Sequence, residues 1–202
     1  MTQIALPLDV RGASDPIRVV VGDANRAAIE ALRDPSGWPF RAALLVGPPR
    51  SGKSLLARWF ASSGAHEAID DAHLIDETAL FHAWNRAQES ERPLLLTAAP
   101  GWQIQLPDLA SRLSGSLQLA IGTPDDGLLA DLLAAHAEQR RLVLGEGAAS
   151  YLVPRIERSW AAAEAVVEAI DRTSLERQAP VTMSVWRDAL EAVQGPEQGR
   201  LL

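Results

Sequence analysis

Of the 19 lysines and arginines in this chain one is a lysine, and it stands at position 53 within Gly47-Pro-Pro-Arg-Ser-Gly-Lys-Ser54. The string has the spacing G-x-x-x-x-G-K-[ST]. Glycines at both ends allow a tight turn whose main-chain N–H groups converge at the start of a helix, where the helix dipole also favours an anion. Such a loop holds phosphate. Gly47, Pro48, Pro49, Arg50, Ser51, Gly52 and Leu55 shape the cradle, Lys53 reaches the β- and γ-phosphates, and Ser54 offers its hydroxyl to magnesium. The expected ligands are ADP or ATP with Mg2+.

The motif needs a strand before it and a helix after it. Ala42-Ala-Leu-Leu-Val46 is a short apolar run suited to a buried strand, and Leu55-Leu-Ala-Arg-Trp-Phe60 continues as a helix. Elsewhere residues 1–21 are interrupted by Pro7, Gly12 and Pro16, which argue against a long helix. Helices are expected from Asp23 or Ala24 to Leu32, from Asp76 to about Glu91 and from Pro107 to Leu113. Strands are expected at His66–Ile69, Pro93–Thr97 and Leu117–Ile121. After Pro124 only helices follow, at about 125–140, 146–157, 159–176 and 182–193. Strands alternating with helices, then a block of helices, imply an α/β fold: a parallel sheet domain over 13–123 and a helical subdomain over 124–202.

Carboxylates at the end of a neighbouring strand are the natural complement of a phosphate loop. Asp70 and Asp71 follow the apolar pair Ala68-Ile69. Asp70 is placed to complete a magnesium shell and Asp71 to orient an attacking water; the alternative is a helix cap or a solvated turn. Arg112, in Leu106-Pro-Asp-Leu-Ala-Ser-Arg-Leu113, could stabilise transition-state charge at a nucleotide held by a neighbouring subunit, or be an ordinary surface arginine. Gln3-Ile-Ala-Leu-Pro-Leu8 is an extended apolar peptide that could fill a pocket on a partner, or pack as a first strand or tail. His66 and His73 flank the aspartates seven residues apart, without the further ligands a metal site requires. Trp102, Trp160 and Trp186 read as packing aromatics.

The 202 residues carry a formal net charge of −7, 47% hydrophobic and 5% aromatic side chains, and no cysteine. The core must therefore be built from Ala, Leu, Val and Ile, and disulfides and thiolate metal sites are excluded. An acidic chain is poorly suited to gripping DNA through its overall field. No apolar run approaches the length of a membrane helix and no signal peptide is evident, so a cytoplasmic protein is expected.

These pieces together resemble the Hda family of DnaA-related AAA+ proteins over nearly the whole chain. The resemblance rests on Gly22-Asp-Ala-Asn25, the phosphate loop, Asp70-Asp71, Asp76-Glu-Thr-Ala-Leu-Phe-His-Ala-Trp-Asn85, Leu94-Leu-Leu-Thr97, Leu106–Leu113 and Tyr151-Leu-Val-Pro-Arg-Ile-Glu-Arg158. It implies an AAA+ sheet followed by a helical lid, and two partners, DnaA and the DNA polymerase sliding clamp, with self-association as a further option. Residues 1–12 become a clamp-binding peptide in which Gln3, Ile4, Leu6, Pro7 and Leu8 make the contacts. Arg112 falls on the arginine-finger position, from which it would stimulate hydrolysis of DnaA-bound ATP and prevent re-initiation. With no basic segment after the last expected helix, sequence-specific DNA binding is not expected. Three departures stand out. Only a short segment separates Lys53 from Asp70, which implies a trimmed sheet. Ala98-Ala99 follow Thr97 where a polar group that senses the γ-phosphate is usual. Ala161 occupies the place of the lid arginine, with Arg158 the nearest substitute. These favour an activator over a strong ATPase; a non-catalytic adaptor and an independent P-loop ATPase are the competing readings.

Overall fold

The structure is a computed structural model that describes Ile4–Ala5 and residues 18–195. It divides into two compact units, Met1–Gly122 and Thr123–Leu202. In the first, two-residue strands β1 (Ile4–Ala5) and β2 (Arg18–Val19) pair antiparallel. A separate sheet is formed by β3 (Ala42–Val46), β4 (Glu67–Ile69), β5 (Leu94–Ala98) and β6 (Leu117–Ala120), all parallel, in the order β4-β5-β3-β6. β3 and β5 are central. Their apolar runs Ala-Ala-Leu-Leu and Leu-Leu-Leu-Thr-Ala are buried, as parallel strands covered on both faces must be.

Helices α1 (Arg26–Arg33), α2 (Lys53–Ser62), α3 (Glu77–Glu89) and α4 (Pro107–Gly115) cover the sheet. On one face Leu44, Leu94 and Leu96 pack with Leu80 of α3 and Leu109 and Leu113 of α4. The alternation of strand side chains sends Leu45, Leu95 and Thr97 to the opposite face. That face lies towards α2, whose Leu56 and Phe60 are buried. Phe60 also stacks on Trp38, with ring centres 5.1 Å apart, and on His66 at 4.5 Å.

The boundaries follow local chemistry. α3 starts where the Asp76 carboxylate accepts from the Ala79 N–H at 2.9 Å. Pro107 opens α4, a position where its missing N–H costs nothing. Four strands in the order β4-β5-β3-β6 make the sheet narrow, as the short segment between Lys53 and Asp70 implies. β5 runs one residue past the expected Thr97, to Ala98, because Ala98 pairs with Val46 of β3.

The second unit is helical: α5 (Asp126–Gln139), α6 (Ala148–Leu152), α7 (Trp160–Arg177) and α8 (Met183–Gln194). Asp125 caps α5 through the Leu128 N–H at 2.7 Å, and Ser159 caps α7 through the Ala162 N–H at 3.1 Å. Leu129 and Leu133 of α5, Val167 and Ile170 of α7, and Trp186 and Leu190 of α8 are buried. The helix expected over 146–157 is shorter. Pro154 follows α6, and the chain tightens into a single 3-10 turn at Val153–Arg155. No helix among the described residues is long and apolar enough to cross a membrane.

Phe60 is fully buried, so Phe60→Ala should cost about 3–5 kcal/mol, read as a lowered urea midpoint. Leu175→Ala, at a side chain 71% exposed, should stay within about 0.5 kcal/mol.

Candidate functional site

The carboxyl ends of β3, β4 and β5 meet at one place. The loop leaving β3 is anchored to both neighbouring strands. The Gly47 N–H donates to the Ala98 carbonyl at 3.3 Å, and the Ile121 N–H to the Val46 carbonyl at 2.8 Å. Gly47 cannot be replaced without movement: a Cβ there would lie 2.9 Å from Ser51 Oγ and 3.0 Å from Ile121 Cβ. Gly52 turns the chain into α2 at φ +86°, a conformation glycine adopts freely. Arg50 is also left-handed, at φ +63°.

Lys53 is the first residue of α2 and only 8% exposed. Its Nζ donates to the carbonyls of Gly47 at 2.7 Å and Pro48 at 3.0 Å, folding the side chain back over the loop. Burial pulls its pKa below the ordinary lysine value, against the attraction of Asp71 and Asp70, which favours the charged form. Of three ammonium protons two are committed to the loop. The arrangement suits an anion laid over the loop: a desolvated cation, a glycine turn too close to tolerate a side chain, and the N-terminus of a ten-residue helix.

Asp70 and Asp71 follow β4 directly. The Thr97 hydroxyl, on the adjacent strand β5 and fully buried, donates to Asp70 Oδ1 at 2.5 Å and accepts from the Asp71 N–H at 2.9 Å. One hydroxyl thus ties both aspartates to the sheet and holds Asp71 at φ +48°. The Ser54 hydroxyl adds to the groups that favour the charged form of Asp70. Burial raises the Asp70 pKa, but Ser54, the bonds from Thr97 and the Asp71 amide, and the Lys53 charge outweigh it and leave the carboxyl below its usual range. Of the two residues expected to serve magnesium, Ser54 opens α2 beside Lys53 and Asp70 follows β4. A hydroxyl and one carboxylate would be a suitable protein share of a Mg2+ shell completed by phosphate and water. Among the described residues no group of three or more His, Asp or Glu side chains is arranged to hold a metal by itself.

Arg112 lies on α4, beside α3. Its guanidinium sits 4.0 Å from the Phe81 ring centre and 4.6 Å from that of Trp84, and it donates to Asn85 Oδ1. Two aromatic faces and a neutral amide hold it, with no acidic partner among the described residues. Phe81, Trp84 and Asn85 belong to the segment singled out by resemblance, whose spacing places all three on one face of α3; no sequence signal paired them with Arg112.

In the second unit Arg158 makes a two-pronged pair with Asp126, through Nε at 2.7 Å and Nη2 at 3.0 Å. Ala161 is exposed in the first turn of α7. His66 and His73 do not share a helix. His66 stacks on Phe60, whereas His73, in a 3-10 turn, accepts from the Ala99 N–H. Ile4 is described only as backbone, paired with Val19. Gln3, Leu6, Pro7 and Leu8 lie outside the described residues.

The Thr97 bridge carries a sign that can be checked. A carboxyl depressed in the folded state adds stability above its unfolded pKa, near 4, and that stability is lost as pH falls through the folded value. Thr97→Val should cost about 1 kcal/mol near pH 7, a figure reduced for the exposure of Asp70. The gap to wild type should narrow below about pH 4 in urea titrations across pH.

Residues 126–190 match the family described as Hda, lid domain. A protein of Haemophilus influenzae, described only as uncharacterized, is 29% identical over 111 residues, 53% of this chain and 48% of that protein. The match thus spans about half the length of that relative. Domain III of the Thermotoga maritima replication initiation protein DnaA superposes with a TM-score of 0.73 at 14% identity, covering 88% of this chain and 95% of that one. AMPPCP-bound DnaA from Aquifex aeolicus gives 0.61 at 17% identity, over 78% and 64% of the two chains. The helical unit thus resembles an Hda lid over 126–190, and the chain shares its fold with domain III of DnaA.

Proposed function

We propose that this protein regulates the initiation of chromosome replication by acting on DnaA while held at the DNA polymerase sliding clamp. The observation that carries the reading is the Hda lid match over 126–190 joined to a DnaA-like sheet. A nucleotide, ADP or ATP with Mg2+, supplies an anchored polyphosphate. Gly47–Leu55 surround it, Lys53 exchanges its loop carbonyls for phosphate oxygens, and Ser54 with Asp70 completes the metal shell. Asp71, fixed by the Thr97 hydroxyl, stands beside Lys53 to orient water.

Arg112 acts on the partner's nucleotide. Stacked on Phe81 and Trp84 and satisfied by a neutral amide, its charge has no acidic partner among the described residues and its planar fork stays ordered. Moving it onto a partner's phosphate forfeits two cation–π contacts of about 1 kcal/mol each and gains a charge-assisted bond where the reaction develops charge. Gln3, Ile4, Leu6, Pro7 and Leu8 bring the molecule to the clamp, and DnaA then meets it there. Self-association through the same face would place Arg112 on a second copy of this chain. A second reading, a clamp–DnaA adaptor without catalytic effect, is favoured by Ala98 and Ala99 at the strand end and by Ala161 in α7.

With ATP-bound DnaA and clamp loaded on DNA, the protein should accelerate ATP hydrolysis. Arg112→Ala should reduce that stimulation by at least tenfold, and Arg112→Lys should not restore it, since an ammonium lacks the planar fork. Undiminished stimulation by Arg112→Ala would remove the finger; no stimulation by wild type would leave the adaptor. Gln3→Ala with Leu6→Ala should abolish capture by purified clamp and leave the urea midpoint unchanged; capture that survives would dismiss the N-terminal peptide.

A further inference from the structure

β5 ends in two alanines, yet an imidazole stands beside them. The Ala99 N–H donates to His73 Nδ1 at 3.4 Å. A main-chain amide can only donate, so Nδ1 is the acceptor, and in the neutral ring the proton lies on Nε2. The turn that carries the ring is held firmly. The Asp71 N–H is bound to Thr97 Oγ1, Ala72 is fully buried, and the Leu74 and Ile75 amides donate back to Asp71 and Ala72 at 2.9 and 3.1 Å.

The position of the ring is set relative to the phosphate loop. Ala99 is bonded to His73. Ala98, its neighbour, accepts from the Gly47 N–H, and the Gly47 carbonyl accepts from Lys53 Nζ. His73 is thus three hydrogen bonds from Lys53, on the side of Asp70 and Asp71. In such a cradle the lysine meets the β- and γ-phosphates and the strand-end acid serves their metal. A polyphosphate so held would run its distal end towards this strand end, whose own side chains, Ala98 and Ala99, have nothing to donate.

We propose that His73 reads the distal phosphate: its Nε2–H donates to the γ-phosphate of a bound nucleoside triphosphate and has no counterpart in the diphosphate. The donor absent from β5 is thereby supplied from the turn after β4. This inference rests on the nucleotide reading of residues 47–55.

The test compares ADP with AMPPCP, each with Mg2+, by calorimetry on the full chain and on His73→Ala, His73→Gln and Lys53→Ala. His73→Ala should weaken AMPPCP about tenfold and ADP less than twofold. Gln, whose amide can reach the Nε2 position, should recover much of the loss, and Lys53→Ala should weaken both ligands. In 15N spectra of wild type the His73 Nε2 resonance should move on addition of AMPPCP and not of ADP. Equal weakening of both nucleotides by His73→Ala, no weakening of either, or equal spectral responses to the two ligands would overturn the assignment while leaving the phosphate loop standing. Wild type that binds neither nucleotide would overturn both.

Discussion

A buried cation sets the terms for the first unit. Lys53 is nearly enclosed, and its ammonium is held by the Gly47 and Pro48 carbonyls. A charge so placed must find polar groups at fixed positions or be lost to its neutral form. The carbonyls are available because Gly47 is pinned to Ala98, and Ala98 is paired in register with Val46. The site's geometry thus follows from the parallel pairing of β3 with β5, and from there it spreads to Thr97 and the two aspartates after β4.

The polar groups of the site interlock through few atoms. Thr97 Oγ1 serves Asp70 and Asp71 together, and Lys53 feels both carboxylates. Networks of this kind are worth more than their separate bonds because each member orders the next. They also explain why a narrow sheet suffices. The strands that carry site residues, β3, β4 and β5, are all kept in register, and the segment between α2 and β4 is short without moving Asp70 away from the loop.

Arg112 illustrates a different economy. Its guanidinium is placed on aromatic faces and an amide, not on a carboxylate. A salt bridge would neutralise the group and hold it against any later partner. Stacking orders it and leaves its charge available for a phosphate or carboxylate. In the second unit Arg158 is treated the opposite way and is matched by both oxygens of Asp126.

Much of this was legible in the chain itself. The spacing of Gly47, Gly52, Lys53 and Ser54 between an apolar run and a helical one specified strand, loop and helix, because only glycines allow that turn and only a helix N-terminus completes it. Apolar periodicity located the four strands of the parallel sheet to within a residue or two and the lid helices nearly as well, except around Pro154, where the missing N–H shortened α6; the two-residue pair β1 and β2 was not anticipated. Contacts between distant segments were another matter. That Thr97 clasps Asp70 and Asp71, that Arg112 lies between Phe81 and Trp84, and that His73 reaches the amide of Ala99 depend on strand order and helix placement, which link residues more than twenty-five positions apart. Local sequence dictates local conformation through backbone sterics and side-chain period; which polar atoms finally meet is decided by the tertiary fold, because only the packed sheet brings those segments within hydrogen-bonding distance.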